Sequence, residues 1–224
     1  MVATKSIILG CALALSTAAL ALPAPVPQDS EPDNCPYTVT AEDLTAIDSK
    51  TESCDSNAAF AKECADATRA APAITTSFKK YDISEPGVQA ALIAIMLYES
   101  GSFKFNHNHY PEPGRPGQGT RNMQMSPFNE KYATDLFGAD AVAQAQGAGG
   151  DAALDAVLAL VQGDEESFAS AAWFLMTQCT ADIKTGLASG SAEGWDAYLT
   201  KCVGTTHTED RDPAWTAAKM VLGA

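Results

Sequence analysis

Apolar side chains return every three or four positions along most of this chain and period-two alternation is nearly missing, a pattern that predicts an all-α fold. The strongest helix is expected from residue 84. Ser84 serves as N-cap, Pro86 sits in the first turn, Val88, Ala91, Leu92, Ile95 and Met96 form one stripe, and Gly101 ends it. Glu99 falls on that stripe, so its carboxylate is expected on the buried side of the last turn. Thr40 caps a short helix over 40–50, and a helix over 57–70 turns Phe60, Cys64 and Ala67 inward. Another covers 72–80, opened by Pro72.

Ser126 and Pro127 start a helix carrying Phe128, Tyr132, Leu136 and Phe137. After a glycine loop at 147–150, Leu154, Val157, Leu158 and Val161 share one face. Asp164 caps the next helix, with Glu165 and Glu166 near its positive end and Phe168, Ala171, Ala172, Leu175 and Cys179 on its stripe. Trp195, Tyr198, Leu199 and Cys202 define a further helix, and Asp212 with Pro213 opens the last, which carries Trp215.

Residues 1–21 read as a secretory signal peptide: Lys5, an apolar core at 7–20, and small residues at Ala19 and Ala21. Residues 22–39 hold a Pro-rich leader or pro-segment, and 40–224 one domain large enough for a single core. The mature chain is expected outside the cell, where cysteines form disulfides. Removal of Cys11 leaves Cys35, Cys54, Cys64, Cys179 and Cys202. Cys179 and Cys202 end neighbouring apolar stripes and are expected to pair, with Cys64 joined to Cys54 or Cys35. The formal net charge of −14 argues against nucleic acid and anionic membrane as partners.

A carboxylate among apolar neighbours is disfavoured as an anion and keeps a proton to donate, as a general acid must. The alternative is that Glu99 caps a neighbouring helix or pairs with an arginine. Glu99, Ser100 and Gly101 at a helix end, followed about two dozen residues later by Met123, Gln124, Met125, Ser126 and Pro127, resemble the lysozyme-like superfamily, in particular its goose-type lysozyme and soluble lytic transglycosylase branch. Roughly fifty residues carry the resemblance. Arg121 and Asn122 stand where that branch has Gly and Leu, and its Ala-Tyr-Asn-Ala-Gly stretch has only Ala171, Ala172, Trp173 and Phe174 as a counterpart.

The resemblance implies a secreted, monomeric enzyme that cleaves a β-1,4-linked amino-sugar polymer, with cell-wall polysaccharide as partner, peptidoglycan as expected substrate and Glu99 as general acid. Gln124 is expected opposite Glu99 against the substrate, and Met123, Ser100, Asn122, His109, Tyr132 and Trp173 are further candidates for substrate binding. No cofactor is expected. A metal site built on His107 and His109, completed by His207 or Glu112, is disfavoured, because residues two apart in an extended chain point to opposite sides. The rival readings are a chitosan- or chitin-cleaving enzyme of the same fold and a non-catalytic secreted protein that binds a glycan or a host protein.

Overall fold

The computed structural model describes residues 37–224. The signal peptide, most of the Pro-rich leader and Cys35 lie outside the described residues. Among the described residues there are ten α-helices: α1 Ala41–Ile47, α2 Ala67–Lys80, α3 Pro86–Glu99, α4 Ser126–Phe137, α5 Ala139–Gln146, α6 Gly150–Ala159, α7 Asp164–Gln178, α8 Ala181–Ala188, α9 Ala192–Ala197 and α10 Asp212–Leu222. Short 3-10 turns (Ser49–Glu52, Ala61–Glu63, Glu209–Arg211) and a π-helical turn (Tyr198–Val203) join them. Among the described residues the only β pairing is two isolated bridges, His107 with Gly119 and Gly119 with Gln124. The all-α class holds.

Helix α3 is the axis. Every residue of its 87–97 stretch is buried, including Gln89, whose amide Nε2 donates to Ile83 O at 2.8 Å. A helix apolar on all sides must be surrounded, and α10, α8 and α7 all pack against it. Where α8 meets it, a Cβ at Gly87 would stand 2.4 Å from Leu187 O, so that approach requires glycine. The largest core gathers α3 with Leu44, Ile74, Phe78, Phe103, Phe168, Trp195 and Trp215. A second cluster joins Tyr132, Val142, Val157, Leu158, Val161, Trp173 and Phe174 from α4 to α7.

Several elements differ from expectation. Residues 57–70 are not one helix: the Cys54–Cys64 disulfide closes a ring of about ten residues, leaving only the turn Ala61–Glu63, and Phe60 is 42% exposed. Helix α2 starts after Asp66, whose carboxylate caps Arg69 N–H, and it runs through Pro72. Pro72 therefore sits inside a helix, where it lacks an N–H for the carbonyl one turn back. Burial of Ala70, Ala71, Ile74 and Phe78 on one face offsets that loss.

Gly163 holds the N-cap position of α7, and Asp164 in the first turn instead takes a two-pronged ion pair from Arg69, Nε to Oδ2 at 2.5 Å and Nη2 to Oδ1 at 3.0 Å. Ser84 is likewise no cap, since Glu85 precedes α3 without a side-chain bond. Helices α5 and α8 are additions to the expected list. The Cys179–Cys202 and Cys54–Cys64 disulfides both match the expected pairings.

Candidate functional site

At its C-terminal end α3 stops at Ser100. The Ser100 hydroxyl donates to Met96 O at 2.6 Å and accepts Phe103 N–H at 2.9 Å. Gly101, Ser102 and Phe103 then all adopt left-handed backbone (φ 59°, 63° and 63°). That costs strain at two non-glycine positions, and it turns Phe103 back into the core against Phe168, ring centroids 5.1 Å apart. The turn leaves Glu99 at the rim of a cleft of about 270 Å³.

One wall of the cleft is α3 (Ile95, Glu99) with Tyr198 and the connector residues Val203, Gly204 and Thr205. The other is Arg115, Gln118, Asn122, Met123, Gln124 and Met125, leading into Phe128 on α4. Glu99 and Gln124 thus line one cleft, together with Met123 and Asn122. Ser100 does not reach it and acts as a turn. His109 is elsewhere: its Nε2 meets Glu63 Oε1 at 2.7 Å and its ring stacks on Phe60. Tyr132 and Trp173 belong to the second core cluster, their polar tips donating to Glu166 O at 2.9 Å and to Asp135 Oδ2 at 2.8 Å.

The setting of Glu99 is ionic. Arg211 Nη1 donates to Glu99 Oε1 at 2.8 Å, with side-chain exposures of 9% and 22%. The expected apolar surrounding is therefore replaced by the arginine partner of the alternative reading. Arg211 lies over the Tyr98 ring, its guanidinium carbon 4.0 Å from the centroid, and Nη2 donates to Thr205 Oγ1 at 3.1 Å. Burial, and after it the charge of Glu99, pushes the Tyr198 phenol far above its usual range.

Gln124 is fixed by α4. Its Nε2 donates to Asn129 Oδ1 at 2.7 Å, and Asn129 Nδ2 donates back to Gln124 O at 3.1 Å and to Gly117 O at 2.8 Å. The buried side-chain oxygens of Gln118 and Gln124 and the Nε of Arg211 have no partner. Such buried polar atoms cost free energy unless something answers them.

Arg121, in the position where the resembled branch has glycine, is fully buried and structural. Its guanidinium donates to Phe103 O (2.9 Å), Phe105 O (3.1 Å) and Glu63 O (2.8 Å) and lies over the Phe168 ring. Burial lowers its pKa to about 10, opposed by Asp164. Periodicity gives no sign of Arg121 or Arg211, since each partner set lies far away in sequence.

Against the expectation that they point to opposite sides, the His107 and His109 rings lie together, centroids 5.3 Å apart, with His107 3.5 Å from Asp155, while His207 sits apart between Asp196 and Asp212. Among the described residues no group of three or more His, Cys, Asp or Glu side chains has the arrangement of a metal site. No helix there is long and apolar enough to cross a membrane.

No protein-family model matches the sequence, and no solved structure matches it. A bifunctional dioxygenase (DOX)-epoxy alcohol synthase (EAS) of Fusarium oxysporum is 40% identical over 142 residues, which are 62% of this chain and 11% of that protein. The chain thus spans about one-tenth of the relative it matches. That relative is named for oxidative chemistry and not for cutting a glycosidic bond. The finding overturns the expected cleavage of peptidoglycan, chitosan or chitin, and the role of Glu99 as the acid of that reaction falls with it.

Proposed function

We propose that the chain is a secreted binding module whose cleft takes a hydroxyl-bearing ligand. The carrying observation is the pair of buried, unanswered amide oxygens, Gln118 Oε1 and Gln124 Oε1, on two residues that line the same cleft as Glu99 and Arg211. Amide oxygens accept hydroxyl protons, Arg211 Nε is a buried donor without a partner, and Met123, Phe128 and Phe174 are apolar residues of the lining. Glu99 and Arg211 neutralise one another, which leaves the positive Arg115 as the other charged residue of the lining.

Two ligand sources share this chemistry: an epoxy alcohol, the product class in the relative's name, and the ring of a wall polysaccharide. The finer fold reading is part of the proposal. A lysozyme-like arrangement is supported by Glu99 at the end of a buried helix facing Met123 and Gln124, and secretion by the two disulfides.

Oxygenation calls for a redox metal, haem or flavin. No histidine or cysteine lines the cleft, and the described cysteines are all in disulfides. The cleft thus lacks the imidazole and thiolate ligands that such a metal or haem takes, and no oxidative step is assigned to it.

Calorimetric titration with an epoxy alcohol and, separately, with a chito-oligosaccharide tests the reading. One of them is expected to bind, and Gln124→Leu to weaken it by about tenfold, the loss of one buried hydrogen bond to ligand. Absence of heat with both at millimolar concentration overturns it.

A further inference from the structure

The cleft wall at 203–205 belongs to a connector between the π-helical turn and α10, and a histidine whose ring nitrogens both face carboxylates holds that connector. Gly204 turns it in the left-handed region (φ 76°), and Thr205 N–H donates to Leu199 O at 3.0 Å. Farther along, His207 Nδ1 lies 3.0 Å from Asp196 Oδ1 on α9, and Nε2 lies 2.7 Å from Asp212 Oδ1 at the start of α10. Asp212 Oδ1 also accepts the Trp195 indole N–H at 3.0 Å, which fixes its position.

Asp196 and Asp212 are the charged groups that face the ring from the helices on either side. The nearby Arg211 guanidinium is turned to Glu99 and Thr205. A neutral imidazole has one N–H and one lone pair, so it can donate to only one of two carboxylates and must present its lone pair to the other. Both contacts together require the imidazolium.

Resting on the cleft reading given above, we propose that His207 is a proton-operated clasp on the cleft wall. As imidazolium it ties the 204–208 segment to Asp196 and Asp212 at once; on losing a proton it releases one of them. The hydrogen bonds the ring donates to Asp212 and then Asp196 raise its pKa above the ordinary 6.5. The clasp is therefore fully closed below about 6.5 and is lost as the pH rises through the raised value. Thr205 Oγ1, which accepts from Arg211, connects the segment to the Glu99–Arg211 pair.

Amide hydrogen exchange on the full chain from about pH 5.5 to about pH 8.5, corrected for intrinsic rates and read beside the His207 ring-proton titration, tests the clasp. The 204–208 amides are expected to open about two- to fivefold more above the ring's midpoint, the change that loss of one exposed ion pair produces. Asp196→Asn should lower the midpoint, and His207→Gln should flatten the pH response. Protection that stays constant while the ring titrates, or a midpoint at or below 6.5, overturns the clasp.

Asp196→Asn keeps the test decisive if His207→Gln fails to fold. A clasp that titrates in a protein that binds neither the epoxy alcohol nor the chito-oligosaccharide stands, and only the binding reading falls. Binding without a change of protection in 204–208 does the reverse.

Discussion

Arg211 and Glu99, 112 positions apart, meet at 2.8 Å across the rim of the cleft, joining the end of α3 to the turn that opens α10. The pair is half-sheltered, and Tyr98 covers its outer side. Glu99→Gln leaves a mostly buried guanidinium without its counter-charge. We expect a stability loss of about 1–3 kcal/mol, below the ~3–5 kcal/mol of a fully buried pair because Glu99 retains some water. Urea unfolding of Glu99→Gln, Arg211→Gln and the double variant measures the coupling; additive losses would show that the two side chains do not stabilise each other.

Arg121 is the more sensitive arginine. It binds three backbone carbonyls in a site with no exposed surface, so Arg121→Met removes three charge-assisted bonds and leaves those carbonyls bare. A loss of about 3–5 kcal/mol is expected, with little rescue by lysine, which has no planar fork. A melting temperature of Arg121→Lys close to the parent's would contradict this.

The disulfides differ in the chain they close. Cys179–Cys202 spans a separation of 23 and Cys54–Cys64 one of 10. The chain-entropy relation gives about 3 kcal/mol for each, the longer loop exceeding the shorter by roughly half a kcal/mol. Cys179 and Cys202 also pack against both core clusters. Paired Cys→Ala variants should show the larger drop in denaturation midpoint for 179/202.

Tyr132 and Tyr198 set an alkaline limit. Burial pushes both phenols far above the usual 10, with Tyr81 the next cause for Tyr132 and Glu99 for Tyr198. Their raised folded values mean that the stability they contribute is intact below pH 10 and falls as the pH rises above it, where only the unfolded chain releases their protons. Of the six tyrosines, two should stay protonated in a spectrophotometric titration until the fold is lost. Smooth ionisation of all six before unfolding would contradict it.

Helix α3 was legible because an apolar run between Pro86 and Gly101 has no other physical reading, and the Cys179–Cys202 pairing because each cysteine ends an apolar stripe, although the unforeseen α8 lies between them. The 57–70 segment misled. Its alanines favour a helix, but the disulfide ring shortens it, and nothing local reports ring closure. Pro72 read as an opener because its neighbours' burial is invisible without the fold. Helix α5 was missed since only Val142 of its eight residues is buried, leaving no stripe to detect.

At the site, the lining of one cleft by both Glu99 and Gln124 was anticipated from resemblance. The character of that lining was not, because Glu99's periodic position tells which way it points but not that an arginine far along the chain waits there. Function was misjudged at the same step, where a helix end and a Met-Gln segment were taken to bring their chemistry with them.

The all-round burial of α3 also bears on the order of assembly. Its eleven consecutive buried residues have no water-facing side, and one of their covers, α10, begins more than a hundred residues later at Asp212. During synthesis the helix therefore emerges long before this cover exists, as a sticky segment too short, against the ~20 residues a bilayer demands, to be retained in a membrane. Native packing around α3 has to wait until residues 212–222 are free to close over it, so the whole intervening chain depends on being shielded from aggregation until then.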